Sequence, residues 1–216
     1  LLYCLSLWVL CAFTMVVNAQ EAKTDYTDVI VNADLSTTDA WNAEGTKGIK
    51  DGMVKVGSQA VYDFSQTITL PAGQYKMTAK AVYRYGDSEQ AEYDAMQAGT
   101  ETHKTKLYAE TATKKYEANV QNRNDGASDT DYAAGNGSVT INGKFVPNSS
   151  AAVQAWFDGG QYVNELVFDV LEDGQVKIGI TTADGVAGDY VNIGAWTLTR
   201  LGDVQEEQVD DVVFTM

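Results

Sequence analysis

Large apolar side chains recur at every second position along most of this chain. That alternation, the mark of strands with one face buried and one wet, restricts it to an all-β fold. Tyr62, Phe64, Gln66, Ile68 and Leu70 form one series. Tyr75, Met77, Ala79, Ala81 and Tyr83 form the next, with Gln74, Lys76, Thr78, Lys80 and Arg84 on the other face. Pro71-Ala72-Gly73 lies between them and combines a fixed φ with a residue free to take positive φ, so the two series are expected as a hairpin. Val139 and Ile141 run into Asn142-Gly143, the pair best suited to a type I′ turn, and out through Phe145 and Val146. Leu166 to Val170, Val176 to Ile180, and the stretch from Val191 to Leu198 continue the pattern. Asp-Gly and Asn-Gly pairs recur between these short runs, which points to a β-sandwich or barrel.

Two stretches depart from the alternation. Ser88 to Ala98 spaces Ala91, Ala95 and Ala98 with Tyr93 and Met96 as a short helix. Ser149 to Phe157 reads as a second helix, with Ser149 or Ser150 as cap and Val153, Trp156 and Phe157 on one side. Asn122 to Gly137, rich in Asn, Asp and Gly, is expected as a flexible loop.

The ends read differently from the middle. Residues 1–19 are apolar and uncharged and close on Val17-Asn18-Ala19, which reads as an export signal with its cleavage site. Leu1 to Val17 is also close to the length of a bilayer span, so a retained anchor is the alternative. Lipid attachment at Cys11 is a third, disfavoured by the bulk of Leu10. Cys4 and Cys11 both fall inside this segment, so the cleaved chain would hold no disulfide and no cysteine metal site. Residues 20–28 are expected as a flexible lead-in, 29–202 as one β-sandwich domain, and 203–216 as an acidic linker leading toward a further domain. On this reading the protein is secreted or held at the cell surface, with no membrane insertion after cleavage.

Charge and motifs narrow the function. Thirty acidic residues against fifteen Lys and Arg give a formal net charge of -15, and the few lysine groups sit beside Glu101, Glu110 and Glu117. Such a surface repels phosphate backbones, so no nucleic-acid partner is expected. The one histidine, His103, has no cysteine partner, and no Gly-x-Ser-x-Gly, His-Glu-x-x-His or phosphate loop occurs. A glycosidase needs only two carboxylates about 5 to 10 Å apart and stays open as an alternative. Asp125, Asp129 and Asp131, with Asn122 and Asn124, lack the acid spacing of a calcium loop and read as plain loop residues.

The order of several segments resembles a known family. Val29-Ile30-Val31-Asn32-Ala33-Asp34-Leu35 followed by Trp41 is similar to the opening of galactose-binding-like jelly rolls, modules common in exported proteins of polysaccharide-degrading gut bacteria. Leu107-Tyr108-Ala109, Val146-Pro147-Asn148, Gly160 to Leu166, Asp173 to Ile180 and Trp196 to Gly202 follow in the family's order. The resemblance implies a β-sandwich of jelly-roll type with one or two short loop helices, and a non-catalytic carbohydrate-binding role. It also implies a structural calcium, but Ile193-Gly194-Ala195-Trp196 carries no carboxylate where the family has one, which weakens that site and leaves only Asn32 and Asp34. No other cofactor or metal is expected.

In this fold class ligands sit among loops at one end of the sandwich, and sugars stack on exposed rings while planar polar groups take their hydroxyls. Arg84, Tyr85 and Asp87 are the first expected ligand group, and Tyr132 with Asn122 and Arg123 the second. Trp156 joins them, because either it or Phe157 is expected to face outward, whereas Trp41 and Trp196 are expected in the core. Tyr93 and Tyr190 are further loop aromatics. The expected partner is a glycan or polysaccharide. The alternatives are a structural or adhesive spacer and the two-carboxylate glycosidase.

Overall fold

The alternating segments pair into two antiparallel sheets that share one apolar interior in the computed structural model, which describes residues 23–46, 48–57, 61–86, 88–185 and 188–204. The expected signal segment 1–19, residues 20–22 of the lead-in, Asp87 and the acidic run from residue 205 lie outside the described residues. One sheet runs in the order β1 (Ile49–Lys50), β2 (Met53–Gly57), β11 (Tyr190–Gly202), β4 (Gly73–Arg84) and β9 (Val163–Val170). The other runs β3 (Tyr62–Leu70), β10 (Gly174–Thr182), β5 (Thr105–Glu110) and β6 (Lys115–Asn119). A hairpin of β7 (Ser138–Ile141) and β8 (Lys144–Pro147), and helices α1 (Glu89–Gln97) and α2 (Ser150–Asp158), complete an all-β sandwich with two short helices.

Inward positions of both sheets fill the interior as the alternation requires. Phe64, Ile68 and Leu70 of β3 face Tyr75, Met77 and Ala79 of β4 across it. Trp41 lies parallel to Phe64, centroids 4.6 Å apart, and tilts against Trp196 at 5.0 Å. Both tryptophans are therefore core residues, as expected. Gln66 also points inward, where an amide needs partners. It finds them on one residue: Val31 N–H donates to Oε1 at 2.8 Å, and Nε2 donates to Val31 O at 3.0 Å.

The expected hairpin across Pro71-Ala72-Gly73 does not form. β3 pairs with β10, from Tyr62↔Thr182 to Leu70↔Gly174, while β4 pairs with β11 and β9 in the opposite sheet. Alternation reports that one face of a strand is buried and says nothing about which strand lies beside it. The 71–73 link therefore crosses the core, and so does the link from β9 to β10. The two crossings are tied together, with Ala72 N–H donating to Asp173 Oδ1 at 2.7 Å. A Cβ on Gly73 would stand 2.9 Å from Gly202 O, so the crossing needs glycine there.

The lead-in is not a loose tail in its described part. β2 covers β11 only from Tyr190 to Ile193, leaving backbone groups farther along β11 to be satisfied. Residues 24–27 supply the partners. Tyr26 N–H donates to Leu198 O at 2.8 Å and Arg200 N–H to Thr24 O at 2.7 Å, while the Tyr26 ring meets Tyr75 edge-on at 5.5 Å.

A second, smaller apolar cluster sits on the outer face of the five-stranded sheet. There α2 lays Ala152, Val153, Trp156 and Phe157 against Met53, Val82 and Tyr162. Ser149 caps the helix, its Oγ accepting Ala152 N–H at 3.1 Å. A Cβ on Gly194 would stand 3.0 Å from the Phe157 ring, so that ring packs directly over the glycine. Asn142 and Gly143 take φ of 46° and 79°, the type I′ turn expected of them. The 122–137 segment is pinned, with Ser128 and Phe145 exchanging backbone hydrogen bonds and Tyr162 Oη donating to Arg123 O at 2.6 Å.

Candidate functional site

Outward positions near one end of the five-stranded sheet form the floor of a cleft. Asn192 of β11 lies between Lys55 of β2 and Val82 of β4 in one cross-strand row, and Tyr190 lies between Gly57 and Arg84 in the next. The Tyr190 ring occupies the space over Gly57, where any Cβ would collide with it. The Arg84 guanidinium sits 4.5 Å from the ring centroid and Lys55 Nζ 4.8 Å from it, a cation–π cluster. Arg84 Nη2 also donates to Gly188 O at 3.2 Å.

The wall opposite comes from Pro147, Asn148 and the start of α2 with Ser149, Ser150 and Val153, and Arg123 closes one side of a cleft of about 210 Å³. Residues 121–123 reach this place because they take over the edge of β4 where β9 ends at its pairing with Lys80. Tyr83 N–H donates to Gln121 O at 2.9 Å, and Arg123 N–H to Tyr83 O at 3.1 Å. Buried Asn164 seals the seam, accepting Gln121 N–H at 2.8 Å and donating to Ala81 O at 2.7 Å.

Arg123 is 2% exposed and held from two sides. Nε donates to Glu92 Oε2, and Nη1 donates to Asn148 Oδ1 at 2.7 Å and to Glu89 Oε1 at 3.4 Å. Among the described residues its Nη2 has no partner, and neither does the buried Oδ1 of Asn192. Glu92, the buried residue of α1, also accepts Tyr85 N–H at 2.5 Å. Burial pushes its carboxyl up to about 7, against the opposing pull of Arg123. Nearby Asp189 is held by Gly86 N–H at 2.8 Å and Lys104 Nζ at 3.2 Å.

The structure thus joins Arg84 and Arg123, which the sequence reading assigned to separate groups. Other expected ligand residues have different work. Trp156 is wholly buried, its Nε1 donating to Gly126 O at 3.1 Å, and Phe157 is buried too, so neither ring of the pair faces outward. Asn122 is buried, its Oδ1 accepting Asn124 N–H at 2.9 Å. Tyr132 packs edge-on to Trp156 at 5.2 Å and over Gly159, and its hydroxyl meets Gln161 Nε2 at 3.2 Å. Tyr85 stacks on Tyr83 at 6.0 Å against the main core. Asp125, Asp129 and Asp131 each hold a separate internal partner, namely Asn122 N–H, Lys144 and the Gly135 N–H. Among the described residues no group of three acidic or histidine side chains is placed to hold a metal ion.

Lys55, Asn148, Asn192 and the ring of Tyr190 were not assembled from the sequence. The signal available was local: Lys55 between Val54 and Val56, and Asn192 between Val191 and Ile193, are wet-face positions of buried strands. Their convergence follows from strand pairings that local pattern does not contain.

No family model and no curated protein matches the chain. Among solved structures it is similar to TmCBM61, determined in complex with β-1,4-galactotriose, at 14% identity over 68% of this chain and 70% of that one, TM-score 0.34. It is also similar to a protein of Bacteroides thetaiotaomicron VPI-5482 to which sugar binding is ascribed, at 11% identity over 79% of this chain and 92% of that one, TM-score 0.32.

Proposed function

We propose that this protein is a non-catalytic glycan-recognition module, that it works outside the cytoplasm, and that the cleft between α2 and the five-stranded sheet is its binding site. The observation that carries the reading is the lining of that cleft. Planar amide and guanidinium groups of Asn148, Asn192, Arg84 and Arg123 converge with Ser149 and Ser150, beside apolar surface from Val82, Pro147 and Val153. Paired polar groups of this kind take vicinal hydroxyls, and the apolar patches cover sugar C–H faces. A cleft of about 210 Å³ is smaller than the roughly 300–1,000 Å³ typical of drug-sized ligands, which fits one sugar ring with its neighbours in solvent. Among the described residues its lining holds no carboxylate, so the two-carboxylate glycosidase gains nothing from it. Export rests on the signal-like segment 1–19, which holds both cysteines of the chain.

Affinity-gel retention and a glycan array with the purified protein test the reading. Binding to at least one polysaccharide, lost in Asn192→Ala and Tyr190→Ala proteins that keep the parent circular dichroism, is the expected result. Silence across plant and host glycans overturns it in favour of a spacer. Release of reducing sugar overturns its non-catalytic part.

A further inference from the structure

We infer that Arg123 and Asn192 set the specificity of this cleft by reading two hydroxyls of one uncharged sugar ring in opposite senses, one as acceptor and one as donor. The inference rests on the binding-site reading above and adds the class of ligand and the residues that select it. Arg123 Nη2 and Asn192 Oδ1 are both buried, belong to residues that line the same cleft, and have no hydrogen-bond partner among the described residues. The first can only donate and the second can only accept. Each costs free energy while unpaired, so the ligand that gains most brings an acceptor to Arg123 and a donor to Asn192. A hydroxyl can serve in either place. A carboxylate satisfies Arg123 but sets oxygen against oxygen at Asn192, and an ammonium group fails at Arg123 for the mirror-image reason.

The cations of the lining do not upset this balance. Glu92 and Glu89 face the charge of Arg123. Lys55 and Arg84 lie against the Tyr190 ring, and Arg84 also donates to Gly188 O and pulls on the charge of Glu92. In the first turn of α2, Ser149 Oγ already accepts Ala152 N–H. Strand pairing then sets the two unpaired groups on either side of one apolar strip. Asn192 is the cross-strand partner of Val82, while Arg123 holds the opposite edge of β4 through its N–H to Tyr83 O. Their backbones are two strand spacings apart, roughly 10 Å, with Val82 in the floor between them and Val153 on the wall. A pyranose lying over that strip presents hydroxyls to both sides. Neighbouring side chains cover both atoms, so the ring reaches them as the lining parts, and Lys55 on its flexible four-carbon stem is the part best able to yield.

The test is a set of NMR titrations of the isotope-labelled protein with methyl glycosides of the common neutral pyranoses and of the corresponding uronic acids. For each neutral sugar that binds, every hydroxyl is replaced in turn by hydrogen, which removes donor and acceptor, and by fluorine, which leaves a weak acceptor only. Two ring positions are expected to matter, each costing about ten-fold or more as the deoxy sugar. At the position facing Arg123 fluorine restores part of the binding, and at the position facing Asn192 it restores none. In an Asn192→Leu protein of unchanged circular dichroism the parent sugar is expected to fall to the affinity of the second deoxy form, and Asn192→Asp, which keeps an acceptor, restores it. A uronate that binds ten-fold more tightly than its neutral parent overturns the uncharged ligand. Deoxy sugars that all bind like the parent, or an Asn192→Leu protein that binds as the unaltered one does, overturn the assignment of the pair. Each of these results leaves the glycan site standing. Failure of every glycoside overturns the inference, and silence of the glycan array as well overturns the underlying reading.

Discussion

Between the sheets, Trp41, Phe64 and Trp196 meet ring against ring among aliphatic neighbours, whereas the cluster beside α2 is tied through Tyr162 to buried Asn164 and to Arg123, whose guanidinium meets the buried Glu92 carboxylate. The first cluster is held by apolar area, which is non-directional and tolerates small adjustments. The second is small and is fixed by bonds that have directions, so its members cannot slide without losing partners. The difference teaches where positional accuracy resides in this molecule: the wall of the cleft belongs to the directional cluster, and its floor to the apolar scaffold.

The sharpest way to break this comparison is to damage each cluster in turn. Trp196→Ala is expected to cost about 3–5 kcal/mol in denaturant unfolding and to lower the protection of β3, β10 and β4 amides together. Arg123→Ala strands Glu92 without its cation and is expected to cost on the order of 3 kcal/mol. Here the loss falls first on the 121–162 segment, read as faster hydrogen exchange there while β10 stays protected. Uniform loss of protection in the Arg123 variant would erase the distinction.

Acidity sharpens the comparison further. Glu92 titrates near 7 in the folded protein against 4.5 when free, so the folded state holds the extra proton. Its contribution to stability is complete below about pH 4.5 and is lost as pH rises through 7, an effect on the order of 2 kcal/mol. Asp63 shifts the other way. Burial alone would raise it, but Lys177 and Tyr108 outweigh burial and hold it below its ordinary value, so its contribution is present above that value and lost on acidification. Unfolding midpoints at pH 5, 6, 7 and 8 are expected to decline across the series, with the decline flattened in Glu92→Gln. An unchanged slope in that variant would remove Glu92 as its source. The smallest effect is at the helix cap. Ser149→Ala is expected to cost about 1 kcal/mol, read as a lower melting temperature, because Ala152 N–H loses its acceptor.

Features whose causes lie within a few residues were legible in the sequence. The Ser149 cap, the Asn142-Gly143 turn and the inward face of β4 need only neighbours to define them. What failed was everything set by distant pairing. The hairpin at residues 71–73 looked sound because its turn residues are good ones, yet β10 and β11 compete for the two strands and separate them. Helix α1 was read through its alanines, but it buries Glu92, since Arg123 waits on the other side. Trp156 and Arg123 were read as surface groups because the segment between residues 121 and 162 looked like loop, a single hairpin and short helix, with no hint that it wraps its own interior. Of the residues that line the cleft, only Arg84 and Arg123 were among those singled out in the sequence; what joined them was the run of 121–123 along the end of β4.

The crossing at residues 71–73 has a consequence for how the molecule comes into being. Thr181 Oγ1 bonds Tyr62 O across 119 positions of chain, and β10 and β11, both interior strands of their sheets, follow every other described strand in chain order. Neither sheet can close until they arrive, so ordering waits on long-range search and belongs with the slow, millisecond-to-second class of β-rich proteins. A nascent polypeptide of this design keeps both faces of its future interior open until these two strands have been made.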